Sequence, residues 1–152
     1  MLTRFEDILS RDGKLVYRTK GISMEPMLRQ NRDLVIIRVP GSRQKKYDVA
    51  LYRRGGNYIL HRVIRVCDDH YLIRGDNTYA LETVPDTAVI SVLDSFHRKG
   101  KQYKTTDRTY RLYSRFWNHI YPLRALGFRG RRLAVRIARK LHILPWIRRM
   151  RL

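Results

Sequence analysis

One cysteine, Cys67, is too few for an intramolecular disulfide framework or for a cysteine-based zinc site. A lone thiol fits a reduced intracellular protein, although a cysteine-poor secreted chain would look the same. Runs of 18 apolar residues are missing, so no spanning helix is expected. The opening Met1-Leu2-Thr3-Arg4-Phe5-Glu6-Asp7 has acids where a secretory signal needs an apolar stretch. Together these absences imply a cytoplasmic protein. No internal repeat of the solenoid or propeller type is present, and neither a metal nor a cofactor is expected.

Acidic residues are scarce in one part of the chain. Residues 101–152 carry 15 basic side chains and a single acid, Asp107, a surplus of +14. Residues 1–100 carry 18 basic and 12 acidic side chains, a surplus of only +6 within the total of +20. The reading is an ordinary, mildly basic domain over 1–100 and a strongly cationic, aromatic-rich helical extension over 101–152. Such an extension seeks phosphate, on a membrane or on nucleic acid. Hydrophobic residues make up 43% of the 152, enough for one folded core despite 30% charged residues.

The pattern of apolar residues divides the chain further. Thr3 and Glu6 have capping-box spacing, and Leu2, Phe5, Ile8 and Leu9 follow helical periodicity up to Asp12-Gly13. Short strands are then expected at Leu15–Thr19, Leu34–Val39, Val49–Arg53, Tyr58–Val66, Tyr71–Arg74 and Ala88–Phe96, with Gly55-Gly56-Asn57 and Asp68-Asp69 as turns. Six strands imply a compact, mainly β domain of sandwich or partly open barrel type. Beyond Gly100, Tyr110, Tyr113, Phe116, Trp117 and Ile120 recur at helical spacing before Pro122. A second helix is expected from about Arg131 to Ile143, with Leu133, Ala134, Ile137, Ala138 and Leu141 facing one way and Arg132, Arg136, Arg139 and Lys140 the other.

Three short stretches carry chemistry. In Gly21-Ile22-Ser23-Met24-Glu25-Pro26-Met27-Leu28 a serine sits between a glycine and a proline-bearing turn, where its hydroxyl can be exposed. Glu25 stands where the nucleophile elbow of α/β-hydrolases has its second glycine, so that motif is excluded. Tyr58-Ile59-Leu60-His61-Arg62-Val63-Ile64 is a strand with a histidine flanked by apolar residues. His61 is either a satisfied structural imidazole or a base with an ordinary pKa of about 6.5, the partner a serine needs before it can attack. Ile73-Arg74-Gly75-Asp76-Asn77 runs from a strand into a polar turn and offers an orienting carboxylate.

Taken in order, the G-x-S-M-x-P box, the His-Arg-Val strand and the Gly-Asp-Asn box resemble the signal peptidase branch of the superfamily that includes LexA-like self-cleaving repressors. Arg32-Asp33-Leu34-Val35 and Tyr47-Asp48-Val49-Ala50 resemble the boxes that open two of its strands, so the likeness covers residues 14–95. Bacterial housekeeping members have lysine where this chain has His61; the histidine form is similar to the endoplasmic-reticulum and SipW-like branch. The resemblance implies that Ser23 is an acyl-forming nucleophile, His61 its general base, and Asp76 the acid of the third box. Asp76 would either hold the His61 tautomer or pair with Arg62. Met24 resembles a residue lining the substrate groove and Pro26 one that stiffens the turn, while Gly21 and Asn77 complete the binding set.

Two departures stand out. Gly21 occupies the place where many bacterial relatives offer a hydroxyl to the oxyanion, leaving that task to backbone N–H groups, including that of Ser23. A lost side-chain donor costs on the order of 10²-fold in rate. Tyr47 stands where a glycine is usual before Asp48. The implied activity is cleavage of a precursor or leader peptide laid along a sheet edge, with small side chains just before the cut. The alternative is a weak or inactive peptidase-fold binding protein whose tail docks on anionic membrane or nucleic acid. Residues 108–152, with Phe116, Trp117, Tyr121, Leu141 and Trp146 beside the arginines, suit peripheral attachment to the inner membrane face. Packing of this stripe on the β domain is the second reading and nucleic acid the third.

Overall fold

The computed structural model describes residues 4–127 and residue 130. The expected helix from about Arg131 to Ile143, with Leu141 and Trp146, lies outside the described residues, as does Thr3 of the expected capping box. The chain divides into two compact units, Met1–Arg115 and Phe116–Leu152. The first therefore extends past the expected boundary at residue 100.

The first unit is mainly antiparallel β. Helix α1 (Phe5–Asp12) precedes strands β1 (Lys14–Arg18), β2 (Leu34–Arg38), β3 (Val49–Arg54), β4 (Asn57–Val66), β5 (His70–Arg74), β6 (Glu82–Pro85), β7 (Val89–Arg98) and β8 (Lys101–Lys104). Helix α2 (Arg108–His119) follows. The α1 N-terminus is capped by Asp7 rather than Glu6: the Arg4 N–H donates to Asp7 Oδ2 at 3.2 Å. At the other end Gly13, in the left-handed region at φ 69°, donates its N–H to Leu9 O.

One continuous eight-stranded sheet runs in the order β1-β2-β7-β3-β4-β5-β6, with β8 also on β7. The path of the sheet has β1 and β6 as its ends. Each of the six expected strands is present, shifted by a residue or two at its ends. Two further strands, β6 and β8, were not expected, and the β7–β8 hairpin is closed by Lys99 and Gly100, both at positive φ.

Strand alternation distributes the core. Along β3, Val49 and Leu51 join Leu9, Met24, Met27, Leu28, Val35, Ile37, Leu60, Leu93, Phe96 and Tyr110 in one cluster. Ala50 and Tyr52 point the other way, to Val63, Tyr71, Ile73 and Val84. The first cluster ties α1, the Ser23 turn and α2 to one face of the sheet, so α2 begins as part of the domain. Tyr47, at the unusual position before Asp48, has φ 78°, a left-handed conformation that glycine adopts most easily. The strand still opens there: the Tyr47 N–H donates to Val63 O at 2.8 Å.

In the second unit, residues 121–127 are helical, with Pro122 within the first turn, where its missing N–H costs nothing. Phe116, Leu123 and Leu126 are exposed there, and the Arg124 guanidinium lies 3.7 Å from the centre of the Trp117 ring. Among the described residues, no helix is long and apolar enough to cross a membrane.

Candidate active site

Ser23 lies in the turn between β1 and β2 and is half-buried. The turn is internally closed by the Glu25 N–H on Ile22 O (3.1 Å) and the Leu28 N–H on Met24 O (2.9 Å). Its apolar residues Met24, Met27 and Leu28 anchor it in the core. Outward, Gly21 has φ 87°, which a side chain would strain, and its N–H donates to Gln30 Oε1 at 3.1 Å. Pro26 presents its carbonyl to the Arg98 guanidinium at 3.0 Å.

The Gly75-Asp76-Asn77 turn seats the serine. The Asn77 N–H donates to Ser23 O at 2.8 Å, and its side-chain amide donates to Ile22 O at 3.2 Å. Asn77 therefore clamps the serine turn. Gly75 is glycine for a steric reason: a Cβ there would stand 2.6 Å from Ser23 O, 3.0 Å from His61 Nε2 and 3.1 Å from Ser23 Cβ. Real Cβ atoms do not approach carbonyl oxygens that closely. The same three distances bring together Ser23 and His61, which reach one small space above Gly75 from a turn and from β4. No hydrogen bond joins the Ser23 hydroxyl to His61.

His61 is only 5% exposed. It pairs across the sheet with Ala50, whose small side chain leaves the imidazole room. Its Nδ1 lies 3.2 Å from the Tyr52 hydroxyl and 3.4 Å from Glu82 Oε1. The Tyr52 hydroxyl donates its one proton to Glu82 Oε2 at 2.8 Å, so it can only accept from His61. Nδ1 then carries the imidazole proton, and Nε2, the nitrogen facing Ser23, keeps its lone pair. Burial, followed by the bond to Glu82, raises the Tyr52 pKa and keeps that proton in place. Burial also lowers the His61 pKa; Glu82 and Asp76 pull it up, while Arg54 pushes it down. A neutral imidazole is the outcome over a wider pH range than for an exposed one.

Asp76 takes the ion-pair role rather than the place beside Nδ1. Its carboxylate accepts from Arg62 Nε at 2.7 Å and Nη2 at 2.8 Å, and from the Tyr113 hydroxyl at 3.2 Å. It acts on His61 only as a nearby charge. The carboxylate beside the imidazole is Glu82, which the sequence reading missed. Its sole signal was a polar residue in a short stretch, Leu81-Glu82-Thr83-Val84-Pro85, that pairs with β5 opposite Ile73.

A groove of about 420 Å³ opens beside the serine, with Gly21, Ser23 and Met24 in its lining. Among the described residues, no group of three or more His, Cys, Asp or Glu side chains could hold a metal ion. No family model matches the chain, and no curated protein does either.

Proposed function

We propose that the chain is a serine endopeptidase of the signal peptidase-like type that cleaves precursor or leader peptides through an acyl-enzyme. The observation that carries this reading is the meeting of the Ser23 side chain and His61 Nε2 above Gly75, with the opposite imidazole nitrogen held by Tyr52 and Glu82. Nε2 takes the Ser23 Oγ proton as Oγ adds to the scissile carbonyl. The tetrahedral intermediate collapses with expulsion of the amine, to which His61 returns the proton. Water, deprotonated by the same nitrogen, then releases the acyl group. A base placed in this way contributes roughly 10²–10⁴-fold. The paired Asp76 and Arg62 brace the turn that seats the serine, and Glu82 orients the base.

The tail belongs to the reading as a peripheral membrane anchor. Its support is the surplus of +14 over residues 101–152 and the exposed Phe116, Leu123 and Leu126. The direct test of the activity is digestion of a peptide library by the full chain, with new termini identified by mass spectrometry. Termini produced by the wild type and absent with Ser23→Ala are the expected result; none from the wild type would overturn the assignment.

The pH dependence tests the role of Glu82. Neutral imidazole is the active form, so kcat/KM rises with pH through the His61 pKa, which burial places below the ordinary 6.5. Glu82 raises that pKa, so Glu82→Gln moves the rising limb to lower pH. The same change lowers the plateau, on the order of 10-fold or more, because the imidazole loses its orienting carboxylate. An unchanged limb in this variant removes Glu82 from the site.

A further inference from the structure

We infer that the groove beside Ser23 selects a large apolar or aromatic side chain among the residues just before the cut, in place of the small side chains that the family resemblance implies. The inference rests on the peptidase reading above and names its substrate class. The groove has a volume of about 420 Å³ and includes Ser23 itself in its wall, so a peptide whose carbonyl sits at the Ser23 hydroxyl has its neighbouring side chains at the mouth. In an extended peptide alternate side chains share a face. The residue before the cut and the one two positions back are therefore those that can enter.

Part of the lining is aromatic: Phe5, Tyr17 and Tyr58. Phe5 of α1 stacks on Tyr58 of β4 with ring centres 4.3 Å apart and nearly parallel planes, and meets Tyr17 of β1 at 5.1 Å. The Tyr58 ring is held in place by its hydroxyl, which donates to Glu6 and accepts from the Phe5 N–H. Fixed rings of this kind offer apolar area without an ordering cost on binding. An alanine side chain would leave most of this volume to water, whereas leucine or phenylalanine would displace it. Among the described residues, Arg18 and Lys20 are the charged ones in the lining, and both are cationic. A lysine or arginine side chain of the substrate is therefore rejected, as a second criterion separate from size.

The experiment uses the full chain and a set of fluorogenic peptides differing only in the residue before the cut, or only in the residue two positions back. Each carries Ala, Leu, Phe or Lys at the varied place. Leu or Phe is expected to exceed Ala by roughly 10–100-fold in kcat/KM at one of the two places, with Lys poorest. Phe5→Ala opens the aromatic wall and is expected to reduce that preference, read as the ratio of the Leu or Phe peptide to the Ala peptide, by about 10-fold. Tyr17→Leu serves as a second wall variant if Phe5→Ala melts below assay temperature. Equal or better cleavage of the Ala peptide at both places overturns the inference and leaves the peptidase reading standing. If the wild type cleaves nothing, the peptidase reading falls instead. Binding of the same peptides to Ser23→Ala, followed by fluorescence anisotropy, then decides the groove alone: Leu and Phe above Ala supports it, and a flat series overturns it.

Discussion

Replacing Ser23 by alanine is expected to reduce peptide cleavage to background, a loss of roughly 10³-fold or more, with the fold intact. The serine is half-buried in a turn whose anchors are backbone and apolar: Asn77 on Ser23 O, and Met24, Met27 and Leu28 in the core. None of these contacts involves the hydroxyl, so the stability change should stay within about 0.5 kcal/mol. His61→Gln, which keeps a polar side chain of similar size beneath Tyr52, should lose roughly 10²–10⁴-fold, the share a positioned base supplies. The double variant should be no worse than the more damaged single one, because a nucleophile without its base and a base without its nucleophile are equally idle. Product formation measured by mass spectrometry, together with thermal melts, distinguishes lost chemistry from lost structure. Cleavage by both single variants at the wild-type rate would remove the acyl-enzyme reading.

Much of this site was legible because each box states its own local physics. Gly75 is required by a carbonyl that leaves no room for a Cβ, Asn77 by the carbonyls of a turn it must hold, and Met24 by the core beneath that turn. The strands with β-branched and aromatic residues were legible for a similar reason: alternation along β3 and β4 writes both faces of the sheet into the sequence. What could not be read was anything set by register between distant segments. β6 is four residues ending in proline and β8 is Lys-Gln-Tyr-Lys; neither alternates apolar with polar, and both form because a partner strand is already in place. Glu82 rides on β6, so the carboxylate nearest His61 was hidden with its strand. Asp76 was the more visible acid, and its two possible partners were one residue apart in sequence but on opposite faces of β4. Gly100, after which the sequence changes texture, closes the β7–β8 hairpin, and that pairing too depends on a partner strand.

That opposition of faces also sets the largest stability effect, at Arg62. While the His61 imidazole lies beside Tyr52, its neighbour turns to the face of the first cluster, beside Met27 and Tyr110, and is 0% exposed. There its guanidinium donates to both Asp76 oxygens, to Tyr47 O at 3.0 Å, to the Tyr110 hydroxyl at 3.2 Å and to Ser114 Oγ at 2.8 Å. One side chain thus ties β4, the turn before β3, the Gly75-Asp76-Asn77 turn and the first turns of α2. Removing a single member of a buried pair leaves the other charge uncompensated, at about 3–5 kcal/mol. Since small domains hold only about 5–15 kcal/mol in total, Arg62→Ala should shift the urea midpoint strongly or abolish folding at 37 °C. Removing both charges is the informative companion: Arg62→Met with Asp76→Leu should recover part of the stability, because no unpaired charge remains. It should not recover cleavage to the same degree, since the turn that presents Ser23 to His61 would have lost its brace. A single-variant loss below about 1 kcal/mol would mean that Arg62 is not the tie that its geometry describes.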